Sequence, residues 1–218
     1  MSISKVGKRF ERKQELIDAA LDEFVEHDFE SASLNRIIKN AGISKGTFYY
    51  HFRNKEDLFL FLTDEGKKAG LEFINNWLRR HPDRSGEKDF FSIIKLQLKI
   101  GVDFALEMPR YKKFGERLLQ IKDAQIQEKI RVKAKARVEA FLDPMIGAAI
   151  QKGEIRSDLS KDFVARLTKH FFLYPGEIFM LDHLDLDDPD SRRKLDKNID
   201  EFFSFLKYGL GRERHEGS

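Results

Sequence analysis

The chain has no cysteine, which excludes disulfides, thiolate metal sites and cysteine nucleophiles. Proline is scarce, five in 218 residues, and no strand-like alternation of any length occurs. An all-α fold is therefore expected. No uninterrupted apolar stretch approaches the ~20 residues of a membrane-crossing helix, so no membrane partner is expected. The basic start MSISKVGKRFERK is not followed by an apolar run, so no secretory signal is read there and a cytoplasmic location is expected. Nucleophile elbow, glycine-rich phosphate loop and zinc-protease helix are all missing. Neither an enzyme nor a cofactor is expected.

Charge of one sign is missing locally as well. No acid lies between Ser31 and Lys55, while Arg36, Lys39, Lys45, Arg53 and Lys55 fall inside that window. From Gln14 to Glu30 the balance reverses, with seven acids and no lysine or arginine; before it stand Lys5, Lys8, Arg9, Arg12 and Lys13 against Glu11 alone. Residues 1–57 hold ten basic and ten acidic side chains, so net charge hides the pattern. Two basic segments flank an acidic helix, and basic segments without acids suit a phosphate-rich partner.

The window itself has the form of a helix-turn-helix. Ser33 is a good N-cap, and Leu34, Ile37, Ile38 and Ala41 follow at helical spacing. Gly42 stands where a helix ends in the left-handed conformation, Ile43 anchors the turn, and Ser44 caps the next helix, KGTFYYHF. In that helix Phe48 and Phe52 share a face for the core, leaving Lys45, Thr47, Tyr49, Tyr50 and His51 outside, although Tyr50 can also pack inward. Asn54 caps a further helix, with Asp57 placed as in a capping box. In the preceding helix Leu16, Ile17, Ala20, Leu21, Phe24 and Val25 take one half of the wheel; Glu15, Asp18, Asp22, Glu23 and Glu26 take the other.

The span from about Arg9 to Phe61, carried by AALDEF, SLNRII, AGISKGTFYYHF and NKEDLF, resembles the DNA-binding domain of the TetR family of one-component transcriptional regulators. The resemblance implies a homodimeric regulator that binds a palindromic double-stranded DNA operator and responds to a small-molecule effector. It also implies that Gly46 lets the recognition helix approach the duplex, and that Thr47, Tyr49, Tyr50, His51 and Lys55 hold DNA. From their chemistry, Lys45 suits a base edge, Thr47 and Tyr49 suit phosphates, His51 and Lys55 suit phosphate clamping, and Ser33, Arg36 and Ser44 complete the expected DNA-binding set.

Residues 1–54 are thus expected to form a three-helix helix-turn-helix DNA-binding domain. Residues 55–218 are expected to form a larger helical effector-binding and dimerisation domain. Helices are read over about 55–80, 89–107, from Pro109, over 123–152 with a kink at Pro144, over 160–182 and over 189–210, with a first clear loop at Arg84-Ser85-Gly86. The 89–107 helix is apolar on about two thirds of its wheel and should be surrounded. Pro175-Gly176 should break or bend the 160–182 helix.

Phe163, Leu167, Phe171 and Tyr174 form one stripe with His170 inside it; Leu195, Ile199, Phe202, Phe203, Leu206 and Leu210 form another, widened by Phe205. The resemblance implies that these helices pair with their copies. Phe163, Leu167, Phe171, Leu195, Ile199, Phe202, Phe203 and Leu206 are the expected dimer contacts, unless they only close the chain's own core. Twenty phenylalanines and one tryptophan suggest an apolar effector cavity, with Trp77, Phe104, Phe141, His170 and Tyr174 as its candidate lining; such stripes also make ordinary core. The acidic run 182–190 lacks the calcium-loop glycine and terminal glutamate spacing, so no metal is expected. The reading is a DNA-binding regulator, a repressor released by an apolar or amphipathic effector. The alternatives are a helical interaction module that has lost DNA binding and a constitutive DNA-binding protein.

Overall fold

A computed structural model describes residues 10–86, 89–173, 178–179, 184–185 and 188–210. Among these residues the chain is helical and has no strand: α1 (Lys13–Glu26), α2 (Leu34–Asn40), α3 (Lys45–His51), α4 (Lys55–Arg80), α5 (Phe90–Glu107), α6 (Pro109–Leu119), α7 (Ala124–Gln151), α8 (Lys161–Leu173) and α9 (Pro189–Leu210). No described helix is long and apolar enough to cross a membrane.

Local chemistry sets most of these boundaries. Ser33 Oγ accepts from Arg36 N at 3.3 Å and Ser44 Oγ from Thr47 N at 3.0 Å, so both short helices are capped as their sequences require. Gly42 takes φ 63° and closes α2 with Ile43 N on Ile38 O and Gly42 N on Lys39 O; a β-carbon there would be strained. Gly153, at φ 69°, ends α7 by the same pair of bonds. Asn54 Oδ1 accepts from Asp57 N at 2.8 Å, while the Asp57 carboxylate takes Arg53 N, one residue before the amide a full capping box would use. Asp188 accepts Ser191 N at 2.9 Å and starts α9. Arg84-Ser85-Gly86, expected as a loop, ends a 3-10 turn that runs over Pro82–Gly86. The break expected at Pro175-Gly176 lies outside the described residues, as does much of the 182–190 run.

Two compact units result. The first takes the described residues up to Asn76 together with Glu107–Ile130, so it extends well past residue 54. Its core joins Leu16, Ala20, Phe24, Ile37, Phe48, Leu58 and Phe59 to Phe114, Ile121 and Ile126. In it α1 packs against both α2 and α6. Arg110 reaches Asp18 and Asp22 at 2.9 and 2.8 Å, and Arg117 Nε donates to Val25 O at 3.1 Å, which fastens α6 along α1.

The second unit takes Trp77–Leu106 and the described residues from Arg131 on. Its core includes Phe90, Phe91, Ile94, Leu142, Ile146, Val164, Leu195, Ile199, Phe203 and Leu206. This core is closed: the void among its phenylalanines is about 10 Å³, room for roughly one water. Helix α5 is less enclosed than its composition suggested. Only Phe90, Phe91, Ile94 and Ile100 are buried, because one flank of the helix lines an open cavity of about 670 Å³.

Candidate nucleic-acid interface

Helix α3 is short because its ends are fixed within seven residues, by the Ser44 cap and by extended backbone at Phe52. Phe48 and Phe52 anchor it, stacked at 5.5 Å and both buried. Most of the rest of the helix is outward: Ser44, Lys45, Gly46 and Thr47 are exposed, Tyr49 is 57% and Tyr50 54% exposed. Two tyrosines so exposed on one turn make a polar, hydrogen-bonding surface with aromatic faces. The Thr47 hydroxyl shares a 2.9 Å bond with Ser44 Oγ, which orients both side chains at the start of the helix.

His51 is half-buried. Its ring stacks on Phe10 at 4.1 Å and meets Tyr50 edge-on at 4.9 Å, so the imidazole is held rather than free to swing. Phe10 carries no signal in the sequence, and Arg12, read there only as part of the basic start, donates its guanidinium to Gly42 O at 3.1 Å and holds the turn between the two short helices. Neither is marked by a pattern, since each acts on a neighbour distant in sequence.

Three residues behave differently from the sequence expectation. Glu23, assigned to the solvated half of α1, is buried at 5% exposure. Its carboxylate accepts from Ser33 N at 2.6 Å and from Arg36 Nε and Nη2 at 3.0 and 2.5 Å. Burial pushes its pKa up, but the Arg36 and Ser33 hydrogen bonds and the Arg36 charge outweigh that and leave it below the usual glutamate value. The signal was available: on a helical wheel Glu23 falls about 20° from Leu16. Arg36, expected against the DNA backbone, spends its guanidinium on Glu23 instead. Lys55, expected as a phosphate clamp, donates to Glu30 O at 3.0 Å and Ala32 O at 2.9 Å.

The remaining sites scatter. Among the effector candidates, Trp77 lines the 670 Å³ cavity with His81, Leu96, Val102, Leu106 and Leu195. Its indole N–H donates to Asp103 Oδ2 at 2.7 Å and its ring stacks on His81 at 4.0 Å. Phe104 is half-buried, Phe141 is exposed beside Phe172, and His170 is exposed rather than set in a core; none of the three lines that cavity. Tyr174 lies outside the described residues. Among the expected dimer contacts, Leu195, Ile199, Phe203 and Leu206 are buried in their own chain, because they face the second unit's core. Leu167, Phe171 and Phe202 are partly buried against that same core, while Phe163 is exposed. The large aromatics that α9 does present outward are Phe205, 71% exposed, and Tyr208, 82%.

Comparison with known proteins agrees with this arrangement. Residues 16–62, from within α1 to within α4, match the family model of bacterial regulatory proteins, tetR family. The HTH-type transcriptional regulator TtgW of Pseudomonas putida, itself uncharacterized, is 31% identical over 110 residues, covering 50% of this chain and 73% of that one. The fatty acid metabolism regulator protein of Bacillus subtilis is 29% identical over 147 residues, covering 66% and 71%. The solved structure of the transcriptional regulator FadR from Bacillus subtilis, in complex with stearoyl-CoA, shares the fold at a TM-score of 0.65 and 20% identity, covering 90% of this chain and 98% of that one. The chain belongs to the TetR family of bacterial regulatory proteins and is a DNA-binding transcriptional regulator.

Proposed function

We propose that this chain is a cytoplasmic repressor that acts by binding rather than catalysis. Two copies hold a palindromic operator, and an amphipathic effector releases it. The observation that carries the reading is the outward face of α3: Lys45, Gly46, Thr47, Tyr49 and Tyr50 exposed on one short helix, in a stretch free of acids from Ser31 to Lys55. In this reading residues 1–54 supply the DNA contacts and the rest of the chain supplies effector binding and dimerisation. Lys45 reads a base edge, Tyr49, Tyr50 and Thr47 hold phosphates or pack on thymine methyls, and His51 supports them from its stack on Phe10. The two copies then place their recognition helices about one helical turn apart, ~10 bp or somewhat more.

Gly46 supports the reading from another side. Its φ is not positive, and a β-carbon there would meet nothing nearer than Ser44 Oγ at 3.6 Å. The fold therefore does not require glycine, whereas close approach of a duplex would. Long-chain acyl thioesters are the favoured effector class. A fatty acid metabolism regulator is among the relatives, the FadR neighbour binds stearoyl-CoA, and the cavity in the second unit joins apolar Leu96, Val102 and Leu106 to Arg84 and Arg192 and to Lys95 and Lys99, which pair with Asp196 and Asp200.

The test is selection of a duplex from a random-sequence library by the full-length protein, followed by mobility shift with Gly46→Ala. Enrichment of an inverted repeat is expected. The variant should keep or slightly raise its thermal stability, by up to about 1 kcal/mol, yet lose operator affinity at least tenfold. No enriched sequence, or full affinity in Gly46→Ala, would overturn the proposed contact face.

A further inference from the structure

The turn between α1 and α2 is held by two carboxylates. At its end, Ser33 N donates to the buried Glu23 carboxylate at 2.6 Å. In its middle, Asp28 accepts from Ser31 N at 2.9 Å and from the Ser31 hydroxyl, and Ala32 N bonds back to Asp28 O at 2.9 Å. Two further carbonyls of the turn, Glu30 O and Ala32 O, both accept from Lys55 Nζ, which comes from the first residue of α4. The ammonium also lies 4.8 Å from the centre of the Phe29 ring, which stacks on Phe24 and meets Phe59 edge-on in the core.

An ammonium has three protons. Here two are given to carbonyls, and an aromatic face covers a further side. Burial pushes the Lys55 pKa down, with the charges of Glu30, Asp28 and Glu23 opposing; those same carboxylates would repel a phosphate brought to this place. We propose that Lys55 is a positioning residue and not a DNA contact: it ties the start of α4 to the turn that fixes where α2 begins. Through Ser33 that turn sets the first helix of the helix-turn-helix, and so the aim of α3.

The inference rests on the DNA-binding reading but is testable apart from it. In full-length Lys55→Met without DNA, amide hydrogen exchange in residues 28–33 should quicken about tenfold. On the library-selected duplex, affinity should fall about tenfold at every salt concentration, with the slope of log affinity against log salt unchanged. Lys45→Ala serves as the control, and its slope should drop by about one. A slope lowered by about one in Lys55→Met returns the residue to phosphate contact and overturns the proposal. So does unchanged exchange, or unchanged affinity, since either means that the tie positions nothing. Should Lys55→Met fail to fold, Lys55→Gln is read in the same three ways. If the wild-type protein selects no duplex, the function reading falls, while the exchange measurement still reports on the tie.

Discussion

Glu23 shows how one residue can carry more of the fold than its composition class suggests. A carboxylate at 5% exposure is tolerable only because three donors converge on it, one from the backbone and two from a guanidinium. Replacing it by glutamine keeps an acceptor for Ser33 but turns an amide N–H₂ toward Arg36, donor against donor. The loss should be about 1–3 kcal/mol, at the lower end because Arg36 is half-exposed and can be hydrated. The pH dependence follows from the lowered pKa. The ionised group stabilises the fold above the unfolded glutamate value of ~4.3, and that contribution fades as pH falls through the lower folded value. Urea unfolding at pH 7 and pH 3 should therefore show a gap between wild type and Glu23→Gln that narrows in acid. A gap below about 0.5 kcal/mol at pH 7, or one that grows toward pH 3, would show the carboxylate to be dispensable.

The same residue marks what was legible at the level of elements. Helix existence, and most ends, could be read because caps and breakers are local: Ser33, Ser44, Asn54, Gly42, Gly153 and Pro109 all act within a few residues. The outward face of α3 was legible for the same reason, since the Phe48–Phe52 spacing leaves the rest of a short helix outside. Which object an apolar stripe faces is not local. Leu195, Ile199, Phe203, Leu206 and Leu210 keep one face of α9, and periodicity is the same whether that face meets the chain's own core or a second copy. The structure puts them in the core and leaves Phe205 and Tyr208, three residues apart, on another face of α9 at 71% and 82% exposure. That outer face, with Phe163 of α8 exposed as well, is the one we propose for the dimer. Two large aromatics that become buried are each worth about 1.5–3 kcal/mol, so Phe205→Glu with Tyr208→Glu should weaken self-association at least a hundredfold and leave a folded monomer in sedimentation at micromolar concentration. Phe203→Glu should instead unfold the second unit. A double variant that stays dimeric would move the interface elsewhere.

At the scale of the whole molecule, the chain passes between its two units at 76/77 and 130/131, within α4 and α7, and at 106/107, the last bond of α5 before Met108 leaves the helix. Trp77, the sole tryptophan, sits at the first crossing and lines the 670 Å³ cavity. A ligand there competes for Asp103 or slides against the Trp77–His81 stack, and either event changes indole fluorescence. Stearoyl-CoA titrated into the free protein should give a saturable change, abolished by Trp77→Phe. Coupling of such sites is typically ~1–3 kcal/mol, a 5–150-fold effect, and linkage makes it reciprocal. The factor by which stearoyl-CoA lowers operator affinity must equal the factor by which operator duplex lowers stearoyl-CoA affinity. The ligand must also prefer one arrangement, because equal affinity for both shifts nothing. Saturable fluorescence with operator affinity unmoved would leave a cavity that binds without signalling. No fluorescence change and no release would mean that this protein holds its operator without an acyl thioester effector.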